Sequence, residues 1–507
     1  MSDDFTREEI AVLTPYVTGT DRPIYALKNL PEEVVAVLFA YYSRSRESLR
    51  RNLLKLIQER DIDLEARLNA SSLEAAELTT AQEKARQFHE KWVVGYGHAS
   101  VAEHAIVHLA IEDVSIIATK IIEETRLASY TEKSTRYVLF DAEKFFRPPR
   151  LIQSPHATLY ENTVRFLFDT YSALVPQVVD CIKARVPRRT AQGERAYETA
   201  CHARAYDLLR YLLPAATSTN LGLTINARAL EHLLTKLLSN PLEEASEIGA
   251  AMKREAEKVV PTLLKYADFN AYMAETEQAM PQLGQHLLAE GDPLETPAVT
   301  LVRFPADAEE QLAAAILYGY TGVSWFQIVE QVGKLGAEAR AQIIDTYLRR
   351  RGPHDQPLRA LEHLYYTFDI VLDYGAYRDI QRHRMATQTR QPLSTRYGYS
   401  IPDDVAAYGL GDAFQACMER AAGAYDRIAG EYPLEAQYVL PLAYRIRVLF
   451  TWNLRELFHF IQLRSAKQGH FSYRRIAQQV YAEIDRVHPT LARYIRVDRA
   501  DYQLGRL

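Results

Sequence analysis

The sequence predicts an α+β protein that is dominated by helices and built from two homologous halves in tandem. Three observations predict this fold class. The tetrapeptide Ser-Thr-Arg-Tyr stands at residues 134–137 and returns 260 residues later at 394–397. A Leu-Pro pair, with Asn-x-Arg beginning 12 residues after the proline, occurs at 213–228 and again at 440–455. Most other segments carry the apolar spacing of amphipathic helices, and only short β-branched runs separate them.

The same order of elements is expected in both halves. Each half is predicted to begin with a short strand, at residues 23–30 and 298–304. Residues 107–114 and 365–372 are apolar and β-branched enough for buried strands, although periodicity alone also allows the start of a helix. Amphipathic spacing predicts helices over residues 115–126, 204–213, 227–238, 244–267, 373–386 and 445–463.

The offset between the copies shows where they differ. Glu-His at residues 103–104 returns at 362–363, an offset of 259, whereas the Leu-Pro pairs are offset by only 227. The first half must therefore carry an insertion, which falls between residues 138 and 212. The polar, basic segment 185–194 is the candidate loop of that insertion.

The chain is also long enough for two domains. At 507 residues it exceeds what one hydrophobic core usually covers. Residues 280–297 contain three prolines and two glycines, a composition that predicts a linker. We therefore expect an N-terminal domain over residues 1–280, a linker over 281–297 and a C-terminal domain over 298–507.

Composition argues against several classes of protein. The 60 basic and 65 acidic residues give a formal net charge of −5, which argues against a general nucleic-acid or anionic-membrane binder. No apolar run approaches the roughly 18–20 residues of a membrane span, and the acidic, polar residues 1–10 are unlike a signal peptide. The three cysteines are widely spaced, which predicts a reducing, cytoplasmic location without disulfides or a zinc site.

Arg-His-Arg at residues 382–384 is a dense cationic cluster near the end of the helix expected over 373–386. Arg378 would share a helix face with the first of these arginines, and two like charges there cost stability unless an anion lies between them. The planar fork of arginine suits phosphate or carboxylate oxygens. The alternative is a solvated basic stretch that Asp373 and Asp379 balance. The nearby Ser-x-Arg of the second copy favours the anion site.

Two further landmarks allow a structural or a ligand-binding interpretation. Asn226 and Asn453 begin amphipathic helices, so each could simply cap its helix, although two copies at a fixed distance from Leu-Pro favour a selected role. The histidines around the Glu-His pairs lack metal-ligand spacing, so we expect no metal site but hydrogen-bonded histidines or cofactor contacts. These histidines are His98, His104, His354 and His363.

These landmarks resemble the flavin-dependent thymidylate synthase family. The family's signature runs from Arg-His-Arg to Ser-x-Arg-Tyr, with Gly-His and Glu-His before it and Leu-Pro, Asn-Ala-Arg and Leu-x-Leu-Arg after it. The first half offers Gly-His and Glu-His at residues 97–104, and the second half offers Arg-His-Arg and Ile-Gln-Leu-Arg at 461–464. Because both halves match, the chain is identified as a tandem, partly degenerate member of that family.

The resemblance implies an enzyme that converts dUMP to dTMP without a cysteine nucleophile. FAD would be its cofactor, and NADPH and methylenetetrahydrofolate would be co-substrates. It also implies sites at subunit junctions and a homodimer that forms a pseudo-tetramer. Flavin contacts would be Arg382, His383, Arg384, His98, Ser100, His354, Asn226, Arg228, Asn453 and Arg455. Nucleotide contacts would be Ser134, Arg136, Arg210, Ser394, Arg396 and Arg464, of which Arg464 would be the catalytic group that polarises the uracil.

Neither half carries the complete set of family residues. Glu124 stands where the first half should have the first arginine of Arg-His-Arg, and Leu237 stands at the counterpart of Arg464. The second half has Gln437 where the first half keeps Arg210. Two additional residues also lengthen its signature motif, between Arg-His-Arg and Ser394. Because these losses are partly complementary, we expect composite sites. The first half would supply Ser134, Arg136, Arg210 and His98.

Three functions remain open from the sequence. The first is an active thymidylate synthase with composite sites. The second is a flavin-dependent enzyme that acts on a different pyrimidine nucleotide, because the lengthened motif would reshape the base pocket. The third is a degenerate flavin- or nucleotide-binding protein without catalytic activity.

Overall fold

The computed structural model describes residues 5–42, 45–58, 100–136, 138–188, 193–288, 291 and 294–502. The chain divides into two compact units. The first comprises Met1–Glu112, Leu127–Glu132 and Asn220–Ala289, and the second comprises Asp113–Arg126, Lys133–Thr219 and Glu290–Leu507. Among the helices of the described residues, none is both long and apolar enough to cross a membrane.

The elements up to residue 288 include ten α-helices and three strands within the described ranges. In chain order they are α1 (Arg7–Leu13), α2 (Glu32–Tyr42), α3 (Leu49–Gln58), β1 (Ile106–Ser115), α4 (Ile116–Ile122), β2 (Ala128–Glu132), α5 (Pro149–Ile152), α6 (Ala157–Arg185), α7 (Glu194–Leu209), β3 (Ser218–Asn226), α8 (Ala227–Leu238), α9 (Glu243–Ala256) and α10 (Ala271–Leu287). Short 3-10 turns at Val101–His104 and Arg210–Leu212 precede β1 and β3.

The elements after residue 294 begin with a strand, and helices separate the strands that follow along the chain. In chain order they are β4 (Val299–Arg303), α11 (Ala308–Tyr318), α12 (Trp325–Gly333), α13 (Ala337–Leu348), β5 (Tyr365–Asp373), α14 (Tyr374–Ile380), β6 (Thr387–Arg390), α15 (Asp403–Ala407), α16 (Gly411–Ala429), β7 (Arg445–Asn453), α17 (Leu454–Ser465), α18 (Phe471–Val487) and α19 (Pro489–Ala492). The 3-10 turns Arg359–His363 and Glu435–Val439 precede β5 and β7.

The two halves repeat one order of elements, which confirms the predicted helix-dominated α+β fold class. In each half a 3-10 turn leads into a strand, a short helix and a second strand, and a long helix then leads to a third strand and another helix. The strand order β1-β3-β2 of one sheet recurs as β5-β7-β6 in the other, with β4 added beside β5. Helices α6 and α7 stand where the second half has α16 alone, which corresponds to the insertion expected between residues 138 and 212.

The segment 23–30 is not the strand that the sequence predicts. Its ladder contact is an isolated bridge between Leu27 and Val17. Pro23 has no N–H to donate to a ladder. Asn29 has a positive φ of 55°, which breaks an extended run. The physical cause of the error is therefore local backbone chemistry that an apolar pattern does not reveal.

Residues 445–453 form strand β7 where the sequence predicts the first half of a helix. Alternate side chains of this strand are fully buried, which is the period of a strand and not of a helix. Asn453 then caps α17, so the helix begins only at Leu454. The buried alternate residues are Ile446, Val448, Phe450 and Trp452.

Most other predicted elements exist, but several helices are shorter than expected. Strand β4 confirms the strand predicted at 298–304, and α8 confirms the helix at 227–238. Residues 107–114 and 365–372, for which the sequence allowed a strand or the start of a helix, lie in strands β1 and β5. Helix α10 continues through Pro281 into the predicted linker and ends at Leu287. The expected helices over 115–126, 204–213, 244–267 and 373–386 end early, at Ile122, Leu209, Ala256 and Ile380.

The two Leu-Pro pairs contact each other within the second compact unit. The Ala215 N–H donates to the Leu440 carbonyl at 2.8 Å, and the Leu442 N–H donates to the Leu213 carbonyl at 2.9 Å. Because residue 442 is the counterpart of 215, and 440 is the counterpart of 213, the two bonds are reciprocal. Such reciprocity is the mark of a local two-fold axis. The next bonds outward repeat it, from Ala216 N–H to the Tyr438 carbonyl and from Ala443 N–H to the Tyr211 carbonyl.

Candidate functional site

The Arg-His-Arg tripeptide lies in a turn that leaves helix α14. The helix ends at Ile380. The side-chain amide of Gln388 donates to the carbonyl oxygens of Gln381 and His383, both at 3.1 Å, and so satisfies groups at the end of the helix. The expectation that this tripeptide lies within a helix and shares one face with Arg378 is therefore wrong.

His383 joins the tripeptide to α17. The residue is 3% exposed. Its Nε2 accepts a hydrogen bond from Arg464 Nε at 2.8 Å, and its Nδ1 lies 3.1 Å from Glu456 Oε1. An Nε2 that accepts carries no proton, so Nδ1–H donates to Glu456 and the ring is neutral. Burial, reinforced by the charge of Arg464, holds the pKa of His383 well below its ordinary value.

Arg464 occupies the last turn of α17, and its position follows from the start of that helix. The Asn453 side chain caps α17 by accepting from the Glu456 N–H at 2.9 Å. Glu456 and Arg464 are eight residues apart, so they share a face of the helix and both reach His383. The guanidinium carbon of Arg464 also lies 5.3 Å from the centre of the Tyr473 ring.

Arg136, from the Ser-x-Arg of the first half, is held by Asp207. Its Nε and Nη2 donate to the two carboxylate oxygens of Asp207 at 2.6 and 2.9 Å. Its Nη1 donates to the Tyr473 hydroxyl at 3.2 Å, and Nη2 also donates to the Gln468 carbonyl at 3.4 Å. This bidentate pair is nearly buried, because the two side chains are 13% and 7% exposed.

Arg210 lies three residues after Asp207 and is 2% exposed. Its Nη2 donates to the Gly375 carbonyl at 3.0 Å, and its Nη1 lies 3.3 Å from Asp379 Oδ2. The Nε is buried and has no hydrogen-bond partner among the described residues. A buried donor without a partner is a candidate contact for a ligand or a water molecule.

Asp379 is the point at which charges from both halves meet. Its side chain is 16% exposed. Burial alone would raise the pKa of Asp379, but the positive charges of Arg210, Arg464, Arg382 and Arg136 lower it. Two of these arginines come from the first half of the sequence and two from the second. The structure therefore brings together site residues that the sequence separates by more than 160 positions.

We call this group the composite cluster, and all its members belong to the second compact unit. It has four guanidinium groups, which outnumber the carboxylates of Asp207, Asp379 and the neighbouring Glu456, and its histidine is neutral. This positive surplus suits an anion. The members are Arg136, Asp207, Arg210, Asp379, Arg382, His383 and Arg464.

The two Ser-x-Arg copies form the same turn but place their arginines differently. The Oγ of Ser134 accepts from the Arg136 N–H at 3.2 Å, and the Oγ of Ser394 accepts from the Arg396 N–H at 3.4 Å. Both serines therefore close a local turn. Arg136 joins the composite cluster, whereas Arg396 is exposed and donates to the Gly291 carbonyl at 2.8 Å.

At the family positions where one half lacks the expected arginine, the side chain that replaces it contacts other groups of the protein. Glu124, which replaces the first arginine of Arg-His-Arg, pairs with Arg390 at 3.1 Å. Gln437, which replaces the counterpart of Arg210, accepts from the Leu393 N–H and donates to the Leu434 carbonyl, both at 3.1 Å. Neither side chain adds a positive charge where the composite cluster has an arginine.

The Glu-His and Asn-x-Arg landmarks contact each other in both copies. Arg228 pairs with Glu103 at 2.5 Å, and Arg455 pairs with Glu362 at 3.0 Å. This repeated ion pair is a physical reason for the two landmarks to occur together. The asparagines cap the helices that follow them, Asn226 for α8 and Asn453 for α17.

Four of the remaining predicted flavin contacts lie in turns. Ser100 is exposed at the start of a 3-10 turn, and His354 is exposed in a turn after α13. Arg382 is exposed and Arg384 is half-buried, on either side of His383 in the sequence. His98 lies outside the described residues, so its contact stays a prediction.

Sequence reasoning missed three residues of the site. Asp207 precedes Arg210 by three residues, and Glu456 follows the Asn453 cap by three, so their spacing was a usable signal. Tyr473 lies outside every repeated landmark and gave no signal. In the part of the chain that the structure describes, no group of His, Cys, Asp and Glu side chains could hold a metal ion.

The comparisons with known proteins concern the whole chain. Residues 52–262 and 300–490 match the family model described as thymidylate synthase complementing protein. A UPF0159 protein of Chlamydia pneumoniae is 36% identical over 524 residues, which cover 100% of this chain and 97% of that protein. A UPF0159 protein of Thermoplasma acidophilum is 31% identical over 476 residues, covering 84% of this chain and 91% of that protein.

Proteins named flavin-dependent thymidylate synthase match parts of the chain. The protein of Thermococcus onnurineus is 29% identical over 155 residues, 30% of this chain and 54% of that protein. A crystal structure of flavin-dependent thymidylate synthase from Helicobacter pylori, complexed with FAD and dUMP, is 18% identical, with a TM-score of 0.30 over 40% of this chain and 100% of that chain. Because the family model matches both halves and most of the sequence, the chain belongs to the thymidylate synthase complementing protein family, the flavin-dependent thymidylate synthases.

Proposed function

We propose that this protein is a flavin-dependent methyltransferase that converts dUMP to dTMP at a site composed of residues from both halves. FAD would be its cofactor, methylenetetrahydrofolate its carbon donor and NADPH its reductant. The observation that carries the proposal is that Arg136 and Arg210 meet Arg382 and Arg464 around Asp379. Membership of the family and the names of the shorter relatives support the same reaction.

The composite cluster fits the phosphate of a nucleoside monophosphate. A phosphate monoester carries about −1.5 to −2 charges at neutral pH, which the positive surplus of the cluster complements. Arg210 contributes a buried Nε that has no partner among the described residues. Arginine forks bind phosphate oxygens in pairs of parallel hydrogen bonds. Arg136 and Arg210 would therefore bind the phosphate, and Ser134 would close the turn that holds Arg136.

Arg464 is suited to act on the base. Its Nε is fixed by His383, so its other two nitrogens are oriented before a ligand binds. A fixed guanidinium beside developing negative charge on a uracil oxygen stabilises the transition state, and such groups contribute about 3 kcal/mol. Glu456 and the neutral His383 act as positioning residues for this arginine.

The residues around His383 also suit a flavin nucleotide. Arg382 and Arg384 flank it in one turn and offer two guanidinium forks for phosphate oxygens. Bound FAD would supply the hydride chemistry that the side chains of this chain lack. The contribution of the protein would be to bind and orient the ring and to place Arg464 at the nucleotide.

The cysteines are poorly suited to replace this chemistry with a thiolate nucleophile. Cys181, Cys201 and Cys417 lie on helices α6, α7 and α16. Burial raises the pKa of the Cys201 and Cys417 thiols, which disfavours the reactive thiolate. This supports a reaction without covalent attachment of the nucleotide to the protein.

A second candidate function is nucleotide binding without turnover. Arg136 uses all three of its nitrogens for contacts with protein groups, which favours a site that binds its ligand weakly. The lengthened motif of the second half favours a variant of the first proposal, in which another pyrimidine nucleotide is the substrate. The expected homodimer is a separate proposal that the experiments below do not require.

The two copies of Ser-x-Arg should differ in their effect on nucleotide binding. Arg136→Ala should weaken dUMP binding by roughly 10- to 100-fold, because it removes charge-assisted hydrogen bonds to the phosphate. Arg396→Ala should change it less than threefold, because this arginine lies outside the composite cluster. Isothermal titration calorimetry of both variants, after circular dichroism has confirmed folding, makes the comparison. Equal losses in the two variants would contradict a composite site.

Arg464→Ala should lower kcat for dTMP formation by about 10²- to 10³-fold, because it removes the electrostatic stabiliser of the base. Arg486→Ala is the matched control, since Arg486 is 59% exposed and pairs with Glu483. In cells, the wild-type gene and the control should rescue a thymidine auxotroph and Arg464→Ala should not. Failure of well-expressed wild type would remove the synthase proposal, and full rescue by Arg464→Ala would refute the role of that residue.

The free energy of unfolding should fall as the pH is lowered through about 6.5, the ordinary pKa of histidine. Burial holds the pKa of both His383 and His470 well below that value, so the unfolded chain takes up protons that the folded chain refuses. The loss is about 1.4 kcal/mol per pH unit for each histidine until the folded pKa is reached.

Urea denaturation at several pH values measures this loss. His383→Gln and His470→Gln should each flatten the pH dependence, whereas His232→Gln, at an exposed position of α8, should not. An unchanged pH dependence in the double variant would show that the two histidines are not the cause.

A further inference from the structure

We propose that Asp207 is the specificity-determining residue of the nucleotide site, because it competes with the ligand's phosphate for Arg136. The ligand class that this competition selects is a phosphate monoester in its doubly charged form. A neutral nucleoside or a singly charged phosphodiester would leave Arg136 paired with Asp207. This inference rests on the proposed function, since it concerns the same site.

The first support is that Arg136 has little left to offer a ligand. Its Nε and Nη2 are used by the carboxylate of Asp207, at 2.6 and 2.9 Å. Its Nη1 donates to the Tyr473 hydroxyl at 3.2 Å, and Nη2 donates a second time to the Gln468 carbonyl at 3.4 Å. A bidentate contact with phosphate therefore requires that the contact with Asp207 be broken.

The second support is that Arg136, and not Asp207, is the partner that can move. The backbone carbonyl of Asp207 lies 3.0 Å from Nε2 of His470, which is fully buried. Nδ1 of His470 accepts from the Ser472 N–H at 3.2 Å, so its Nε2–H is the donor to Asp207. The backbone of Asp207 is thus held both within α7 and by His470, whereas the backbone of Arg136 lies in a turn after β2.

The third support is that a replacement cation is already beside Asp207. Arg204 lines the same small pocket as Arg136 and Asp207, together with Lys467 and Arg474. The Nε of Arg204 is buried and has no hydrogen-bond partner among the described residues. Arg204 is paired with Asp404 through Nη2 at 2.6 Å, so its Nε is the nitrogen that can donate to the Asp207 carboxylate when Arg136 turns to a phosphate, which avoids a buried unpaired charge.

The fourth support is that Arg136 cannot leave Asp207 by losing its proton. Burial would lower the pKa of Arg136, but the carboxylate of Asp207 raises it overall. The guanidinium therefore stays charged and must exchange one anion for another. An anion with two charges and several oxygens can replace a carboxylate at a bidentate fork, and a ligand with less charge competes poorly.

The test is the Asp207→Asn variant, with Asp369→Asn as its matched control. Asp369 accepts from Arg447 through both carboxylate oxygens, at 2.9 and 2.6 Å, and so forms an equally short bidentate ion pair that involves neither Arg136 nor Arg204. Calorimetric titration with dUMP, its phosphate methyl ester and deoxyuridine measures the selection. Asp207→Asn should bind dUMP about tenfold more tightly and should bind the methyl ester with a larger relative gain. Asp369→Asn should match the wild type.

The opposite result would overturn the inference. If Asp207→Asn weakens dUMP binding as much as Arg136→Ala does, then Asp207 positions Arg136 and does not compete for it. Titration with inorganic phosphate separates this result from failure of the proposed function. A variant that binds phosphate more tightly than the wild type, in a protein that turns over no dUMP, supports the competition and removes the proposed substrate.

If Asp207→Asn does not fold, a crystal structure of the wild-type protein with bound phosphate provides the test. Crystals of the wild-type protein soaked with inorganic phosphate should show Arg136 rotated away from Asp207 and bonded to the phosphate. Phosphate bound at Arg210 with Arg136 still paired to Asp207 would overturn the competition.

Discussion

The reciprocal pairing of the two Leu-Pro segments is the constraint on which the site depends. The Leu442 N–H bonds to the Leu213 carbonyl, and the Gly375 N–H bonds to the Leu442 carbonyl at 3.1 Å. The side chain of Arg210, three residues before Leu213, also donates to the Gly375 carbonyl. Backbone hydrogen bonds therefore fix the start of α14 against the segment that carries Arg210. The charges around Asp379 follow from that placement, because α14 carries Asp379 and leads into Arg-His-Arg.

A local two-fold axis would ordinarily give two equal sets of side chains, and the two sets differ in this chain. On one side of the axis the family positions are arginines, and their charges converge on a carboxylate. On the other side Glu124 and Gln437 form internal contacts, and Arg396 turns to a backbone carbonyl. The two halves therefore lack different members of the family's residue set, while the backbone contact between the Leu-Pro segments is present in both directions. A tandem arrangement permits this, because both halves are always present in one chain and need not each be complete.

The repeated landmarks made much of the fold predictable, because repetition at a fixed spacing reports local structure. The caps Asn226 and Asn453 follow from local chemistry, but the strands β3 and β7 that precede them were not predicted. Residues 445–453 were assigned to the helix that follows them because both segments are rich in apolar residues, although the alternation of buried residues in β7 and the cap at Asn453 mark the boundary. Asp207 was not predicted, because its role depends on which surface of α7 meets the turn after β2. The Leu-Pro landmarks were visible in the sequence, but their mutual contact is a property of tertiary structure.

The central claim is that the two halves together form one nucleotide site per chain. The most direct test is the stoichiometry of dUMP binding, measured by calorimetry on protein of known active concentration, in the presence of saturating FAD. The account predicts one bound nucleotide per chain of 507 residues. Two nucleotides per chain would show that each half retains a site of its own and would contradict it.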